Sequence, residues 1–287
     1  MSTPFTIRQV LTLDGWRNLA TGALDPAPAS AFPTPATTGA REATTSTVSS
    51  LTTSSDGQVI ENTQINGMLT INHHNVTVSD CVARGIVVEA NGGGPVPTGV
   101  LIEYTEVDMT AVAADAYNAI RLRPSSEVTL DHCYIHEVGR GVAIGTDATI
   151  TNCYIHANRT WSGAHRQAII CSGPGSGFVI SDNTLYSSGA GNSSAISLYG
   201  DNGVIDGALI EHNLISTSGG YGIYGGSEAQ KPYPEGSNVH IIDNHFSTLY
   251  GENGGVFGCI TGHPNGVRGN LRSGNVWYET GDPIPGG

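Results

Sequence analysis

The chain has 287 residues, of which 39 are Gly and 13% are charged, with 25 acidic residues against 12 basic ones. An acidic chain whose one lysine is Lys231 makes a poor polyanion ligand, which argues against nucleic-acid binding. High Gly and low charge suit a turn-rich all-β chain, and the length suits one elongated domain with an arm.

The first fourteen residues lack a cationic start followed by an apolar run, and no later stretch is long and apolar enough for a bilayer. Neither a secretory leader nor membrane insertion is therefore expected. Residues 7–16 (IRQVLTLDGW) are compatible with a strand or a short helix, and residues 20–55 are rich in Pro, Ala, Thr and Ser. That composition describes an extended tether, so residues 1–56 are expected to be an attachment arm. Ordering such an arm costs about 1–2 kcal/mol per residue in backbone entropy, which partner subunits would have to offset. The alternative is an arm folded back over the chain's own first coil.

From residue 57 onward the sequence repeats. Leu130-Asp131-His132-Cys133-Tyr134-Ile135-His136 returns as Ile150-Thr151-Asn152-Cys153-Tyr154-Ile155-His156. In that register one small polar position is taken in turn by Thr63, Cys81, Thr105, Cys133, Cys153, Asn183, Asn213, Asn244 and Asn275. An aliphatic residue stands three positions before each, from Ile60 to Ile241, until Arg272 breaks the column. An apolar residue stands two positions after each, from Ile65 to Trp277. The steps are 18, 24, 28, 20, 30, 30, 31 and 31 residues, which means constant strands and variable loops. Second apolar pulses, such as Ile86-Val87-Val88, Ile120-Arg121-Leu122 and Ile196-Ser197-Leu198, are short and β-branched and read as further strands.

Parallel strands without crossover helices predict a solenoid in which each strand pairs with its equivalent one coil on, about 4.8 Å away. The polar column would occupy an inward bend between two strands. This pattern resembles the right-handed parallel β-helix of pectate-lyase-like proteins and phage tailspikes, whose inner Asn ladder fills such a turn. The resemblance covers residues 57–287 and implies about nine coils. It also implies two functions. The first is a virion protein, tailspike- or decoration-like, displayed on a tail or capsid exterior. It would be homotrimeric, joined to other virion proteins through residues 1–56, and would bind host polysaccharide. The second is a polysaccharide lyase or glycoside hydrolase of the same fold.

The five cysteines are expected to be packed free thiols, since an odd count argues against a disulfide framework. Cys133-x2-His136 and Cys153-x2-His156 have zinc-like spacing, but residues three apart on a strand face opposite sides. No metal and no cofactor is therefore expected.

Insertions follow Asp108 in coil three, His156 in coil five and Gly225 in coil seven, and in a solenoid such loops gather into a working surface. The densest polar and aromatic cluster lies on coils three to five. Asp108, Arg121, His136, Arg140, Trp161, His165 and Arg166 are its candidate glycan-binding residues, because aromatic rings stack on sugars while Arg, Asp and His bond hydroxyls and carboxylates. Glu137, Asp115 and His156 are its candidate catalytic residues, since glycoside hydrolysis needs two carboxyl groups and His can serve as a base.

Overall fold

The computed structural model describes residues 9–12, 15–18, 32–112, 118–123, 127–160 and 165–287. The chain divides into two units, 1–32 and 33–287. In the first, Gln9–Thr12 pairs antiparallel with Gly15–Asn18.

The second unit is a right-handed parallel β-helix with three faces. The first face is a nine-stranded sheet that begins at Val59–Glu61 and ends at Leu271–Ser273. The second face follows the polar column and includes Glu106–Asp108, Tyr134–Val138, Tyr154–Ala157, Thr184–Ser187 and Leu214–Thr217. The third face includes Ile120–Leu122, Arg140–Ala143, Gln167–Cys171, Ile196–Leu198, Tyr221–Gly225 and Gly258–Thr261.

The predicted register holds pair by pair. Leu130 pairs with Ile102 and Ile150, Ile180 with Ile210, and Ile241 with Arg272. Ile135 pairs with Ile155, Leu185 with Ile215, and Phe246 with Trp277. These columns form the core, with Ile135, Ile150, Ile180 and Phe246 fully buried.

The corner between the first two faces has one cause in every coil. The residue before each polar-column residue is left-handed, at φ values from 41° at Tyr104 to 57° at Asp182, with Gly274 at 70° in the last coil. Asn, Asp, His and Gly fill most of these positions, as they are the residues that tolerate that region. The turn carries the next side chain inward, where hydrogen bonds offset its cost. Asn183 Oδ1 accepts from the Cys153 amide at 2.8 Å, and Asn183 Nδ2 donates to Ile150 O and to Asn213 Oδ1, both at 2.9 Å. The chain Asn183–Asn213–Asn244–Asn275 repeats this bond from coil to coil. All five cysteines are buried and free.

Two structured segments lie within the stretch that composition assigns to the arm. Ser46–Val48 and Leu51–Thr52 pair parallel with Thr63–Ile71 and add a partial coil ahead of the first. Before them, residues 33–45 run back along the chain's own coils. Pro33 O accepts from Thr184 Oγ1 at 2.7 Å, and the Gly39 amide donates to His132 O at 2.8 Å. Arg41 binds Asp80 and lies 3.8 Å over the Tyr104 ring, while the Thr45 amide donates to Asn62 O at 2.7 Å. The Arg41 guanidinium holds the Asp80 carboxyl below the usual carboxylate range. At the far end the tail doubles back, with the Ile284 amide on Asn275 O at 3.1 Å and the Ile284 side chain buried.

Candidate functional site

The third face carries a cleft of about 650 Å³, lined by residues of coils four to eight. The coil-seven insertion forms one wall. It sits on Gly200, whose carbonyl accepts from the Tyr233 amide at 2.9 Å; a Cβ on Gly200 would lie 1.9 Å from Tyr233 O. This seating brings Lys231 Nζ within 2.8 Å of Asp201 Oδ1 and 4.1 Å above the Tyr199 ring. From Tyr199 an aromatic run continues to Tyr224 at 5.2 Å, Tyr221 at 5.6 Å and Phe257 at 5.8 Å between ring centroids. Phe257 is 73% exposed. Burial pushes the Tyr199 hydroxyl up to about 12 and raises that of Tyr224 above its ordinary value.

Glu228 lines the same cleft. Burial pushes its carboxyl above the usual range, against the pull of Lys231 and a hydrogen bond from Thr261. Its Oε1 is buried without a hydrogen-bond partner. It fits because Gly262 has no Cβ, which would otherwise lie 2.2 Å from that oxygen.

The opposite wall holds two of the residues singled out by sequence. Arg140 Nε donates to His165 O at 2.9 Å, and His165 Nδ1 stands 3.5 Å from Ser193 Oγ. Arg166 lies beside them but is fully buried, with its guanidinium donating to Ala190 O. Its Nε and Nη1 have no partner among the described residues, and burial lowers its pKa.

The other candidates fall elsewhere. Asp108, His136 and His156 stand on the second face. Asp108 takes Arg84 and the Thr110 amide, and His136 Nε2 is 2.9 Å from Glu106 Oε1. His136 and His156 belong to an outer aromatic row with Tyr134, Tyr154, Tyr186 and Tyr250. Tyr134 stacks on His136 at 4.0 Å, and His156 stacks on Tyr250 at 5.6 Å. Tyr154 links the two halves, 5.6 Å from Tyr134 and 5.8 Å from Tyr186. Burial lowers the His156 pKa. Glu137 occupies a left-handed bend at φ 52° and accepts from Asn158 Nδ2 at 2.8 Å. Arg121 lines a second cleft of about 640 Å³ on coils one to three, where Glu89 binds both Arg121 and Arg123. Asp115 and Trp161 lie outside the described residues. Arg121, Glu137, His156 and Arg166 thus do not meet in one groove.

Sequence reading missed Tyr199, Tyr224, Glu228 and Gln167. The signal that pointed toward them was the coil-seven insertion, with the lone Lys231 and its flanking Pro and Tyr. Nothing in the linear order says that this loop folds back over coil six.

Among the described residues no three His, Cys, Asp or Glu side chains are grouped so as to hold a metal ion. Cys133 and Cys153, on adjacent coils, are sealed in the core, and burial pushes the Cys153 thiol well above its ordinary value. Two buried thiols with no third His, Cys, Asp or Glu donor grouped with them among the described residues do not fit a metal.

Residues 49–281 match the family model described as "Periplasmic copper-binding protein (NosD)". No curated protein and no solved structure matches the chain. The match spans more than three quarters of the sequence and the whole run of coils, and on it the chain belongs to the NosD family.

Proposed function

We propose that this protein is a glycan-binding β-helix whose ligand lies in the third-face cleft. The observation that carries this reading is the aromatic run Tyr199–Tyr224–Tyr221–Phe257, of which Tyr199, Tyr224 and Phe257 line a cleft of ligand size beside hydrogen-bonding groups. Rings of this kind stack on the apolar face of a sugar while polar neighbours take its hydroxyls. The family description supports work outside the cytoplasm. The resemblance to tailspikes supports a more specific version, in which the part of residues 1–56 ahead of the strap at 33–45 joins a virion or similar assembly and the coils face host polysaccharide. Copper is not part of this proposal, since the described residues offer no ligand set that fits it.

An array of neutral and acidic oligosaccharides tests the reading. The protein should bind at least one class, and Tyr224→Ala should abolish binding without changing the far-UV circular dichroism. An array with no hits, or a Tyr224→Ala variant that binds normally, would refute it.

A second reading rests on Glu228. A carboxyl whose pKa burial raises, placed in a sugar-sized cleft, is the kind of group a glycosidase uses as its general acid. Release of reducing ends by the protein, stopped in Glu228→Gln, would establish cleavage; intact oligosaccharide after long incubation would leave binding alone.

A further inference from the structure

We infer that the cleft selects a neutral, hydroxyl-rich sugar over an acidic one, and that Gln167 and Glu228 are the residues that read its hydroxyls. This rests on the reading of the cleft as a glycan site.

The argument is one of unspent hydrogen-bonding capacity. Gln167 is 1% exposed and lines the cleft, and its Oε1 has no partner among the described residues. Glu228 lines it too, with Oε1 buried and equally without a partner. Two acceptors left unpaired in a folded protein are costly, and they become satisfied when a ligand brings donors. Sugar hydroxyls are such donors, whereas a carboxylate has none to give.

The cations of the same cleft are already committed. Lys231 is held by Asp201 at 2.8 Å and by the Tyr199 ring. Arg140 donates to His165 O and has a further interaction besides. A uronate carboxylate entering the cleft would find no uncommitted arginine or lysine among its described lining residues, and would meet Glu228 and Asp201 inside a chain of net charge −13. A neutral hexose meets two waiting acceptors and a row of rings instead. One acceptor is on the strand Gln167–Cys171 and the other on the coil-seven loop, and both line the same cleft.

The test uses the full-length protein, with neutral hexose oligosaccharides and oligogalacturonate of equal length as probes, read by titration calorimetry. The expected result is tighter binding of the neutral series, weakened roughly tenfold or more in Gln167→Leu and in Glu228→Leu, which corresponds to ~1.4 kcal/mol per lost acceptor. Glu228→Gln restores a carbonyl acceptor and should bind the neutral series within about threefold of the parent, a rescue that a purely structural role for Glu228 would not give. Glu228 is only half-buried, so its variants decide the matter if Gln167→Leu fails to fold. Tighter binding of oligogalacturonate, or parental affinity in Glu228→Leu, would overturn the inference while leaving the cleft a glycan site. Absence of binding by both series would instead overturn the glycan reading on which it rests.

Discussion

Replacing Asn213 by Leu removes the middle of the inner ladder, and the cost can be worked from its bonds. Asn213 Oδ1 accepts from the Asn183 amide at 3.1 Å and from Asn183 Nδ2 at 2.9 Å. Its Nδ2 donates to Ile180 O at 2.8 Å, Glu211 O at 2.9 Å and Asn244 Oδ1 at 2.9 Å. Leu leaves the buried Asn183 amide without its acceptor, at about 1–3 kcal/mol. Ile180 O and Asn244 Oδ1 each lose a donor, at about 0.5–1.5 kcal/mol apiece. The sum is a destabilisation of about 2–6 kcal/mol. Asn213→Asp keeps the acceptor but buries a charge among carbonyl groups, so it should cost more than Leu. The assay is urea unfolding followed by circular dichroism, with amide exchange resolved by residue. Exchange at Asn183 should speed up even if the coils unfold in stages, as solenoids can. An unchanged midpoint in Asn213→Leu, with the Asn183 amide still protected, would show that the ladder is not what holds the corner.

Further predictions concern the thiols, acid stability and the strap formed by residues 33–45. The five thiols should be inert to a thiol reagent in native protein and react fully after unfolding, because each is buried; rapid labelling of any of them would contradict the burial described. Burial lowers the pKa of His156, His245 and His263, so near and below the ordinary value of 6.5 the unfolded chain binds more protons than the folded one. Stability should therefore be full above about pH 6.5 and fall as the pH drops through the lowered values, and His263→Gln should make that fall shallower. A melting temperature unchanged over that window would contradict this. Gly39 has φ +80°, and a Cβ there would lie 3.0 Å from Tyr134 Cβ, so Gly39→Leu should lift the strap and open residues 33–45 to protease; parental resistance to cleavage would count against that contact. Deleting residues 1–32 should leave the coils folded, since the core lies within 33–287. The proposal for the arm expects such a protein to fail to assemble.

The coils were legible in the sequence because each puts a small polar residue and a left-handed corner, and all but the last an aliphatic residue, at fixed offsets, whatever the loop length. The partial coil at 46–52 was not. Ser46 takes the ladder position, with its hydroxyl 2.8 Å from Thr63 Oγ1, but no first-face strand precedes it and the aliphatic column has no member there. The site was only half legible. Strand alternation put His136 and His156 correctly on the outside and Cys133 and Cys153 inside. Arg166 ends a loop, where alternation gives no direction, and it lies under Gly189 and Ala190 rather than in a groove. Tyr199 and Tyr224 come from different coils, and Lys231 reaches Tyr199 only through the fold of a loop.

Two aromatic surfaces compete for a sugar: the cleft with Tyr199, Tyr224 and Phe257, and the second-face row with Tyr134, Tyr154 and Tyr186. Hydroxyl-radical footprinting of the full chain, with and without a saturating neutral oligosaccharide, separates them in one measurement. Protection of Tyr199, Tyr224 and Phe257, with Tyr134, Tyr154 and Tyr186 oxidised as before, is the predicted result. Protection confined to Tyr134, Tyr154 and Tyr186 would move the binding surface to the other face and contradict the assignment of the cleft.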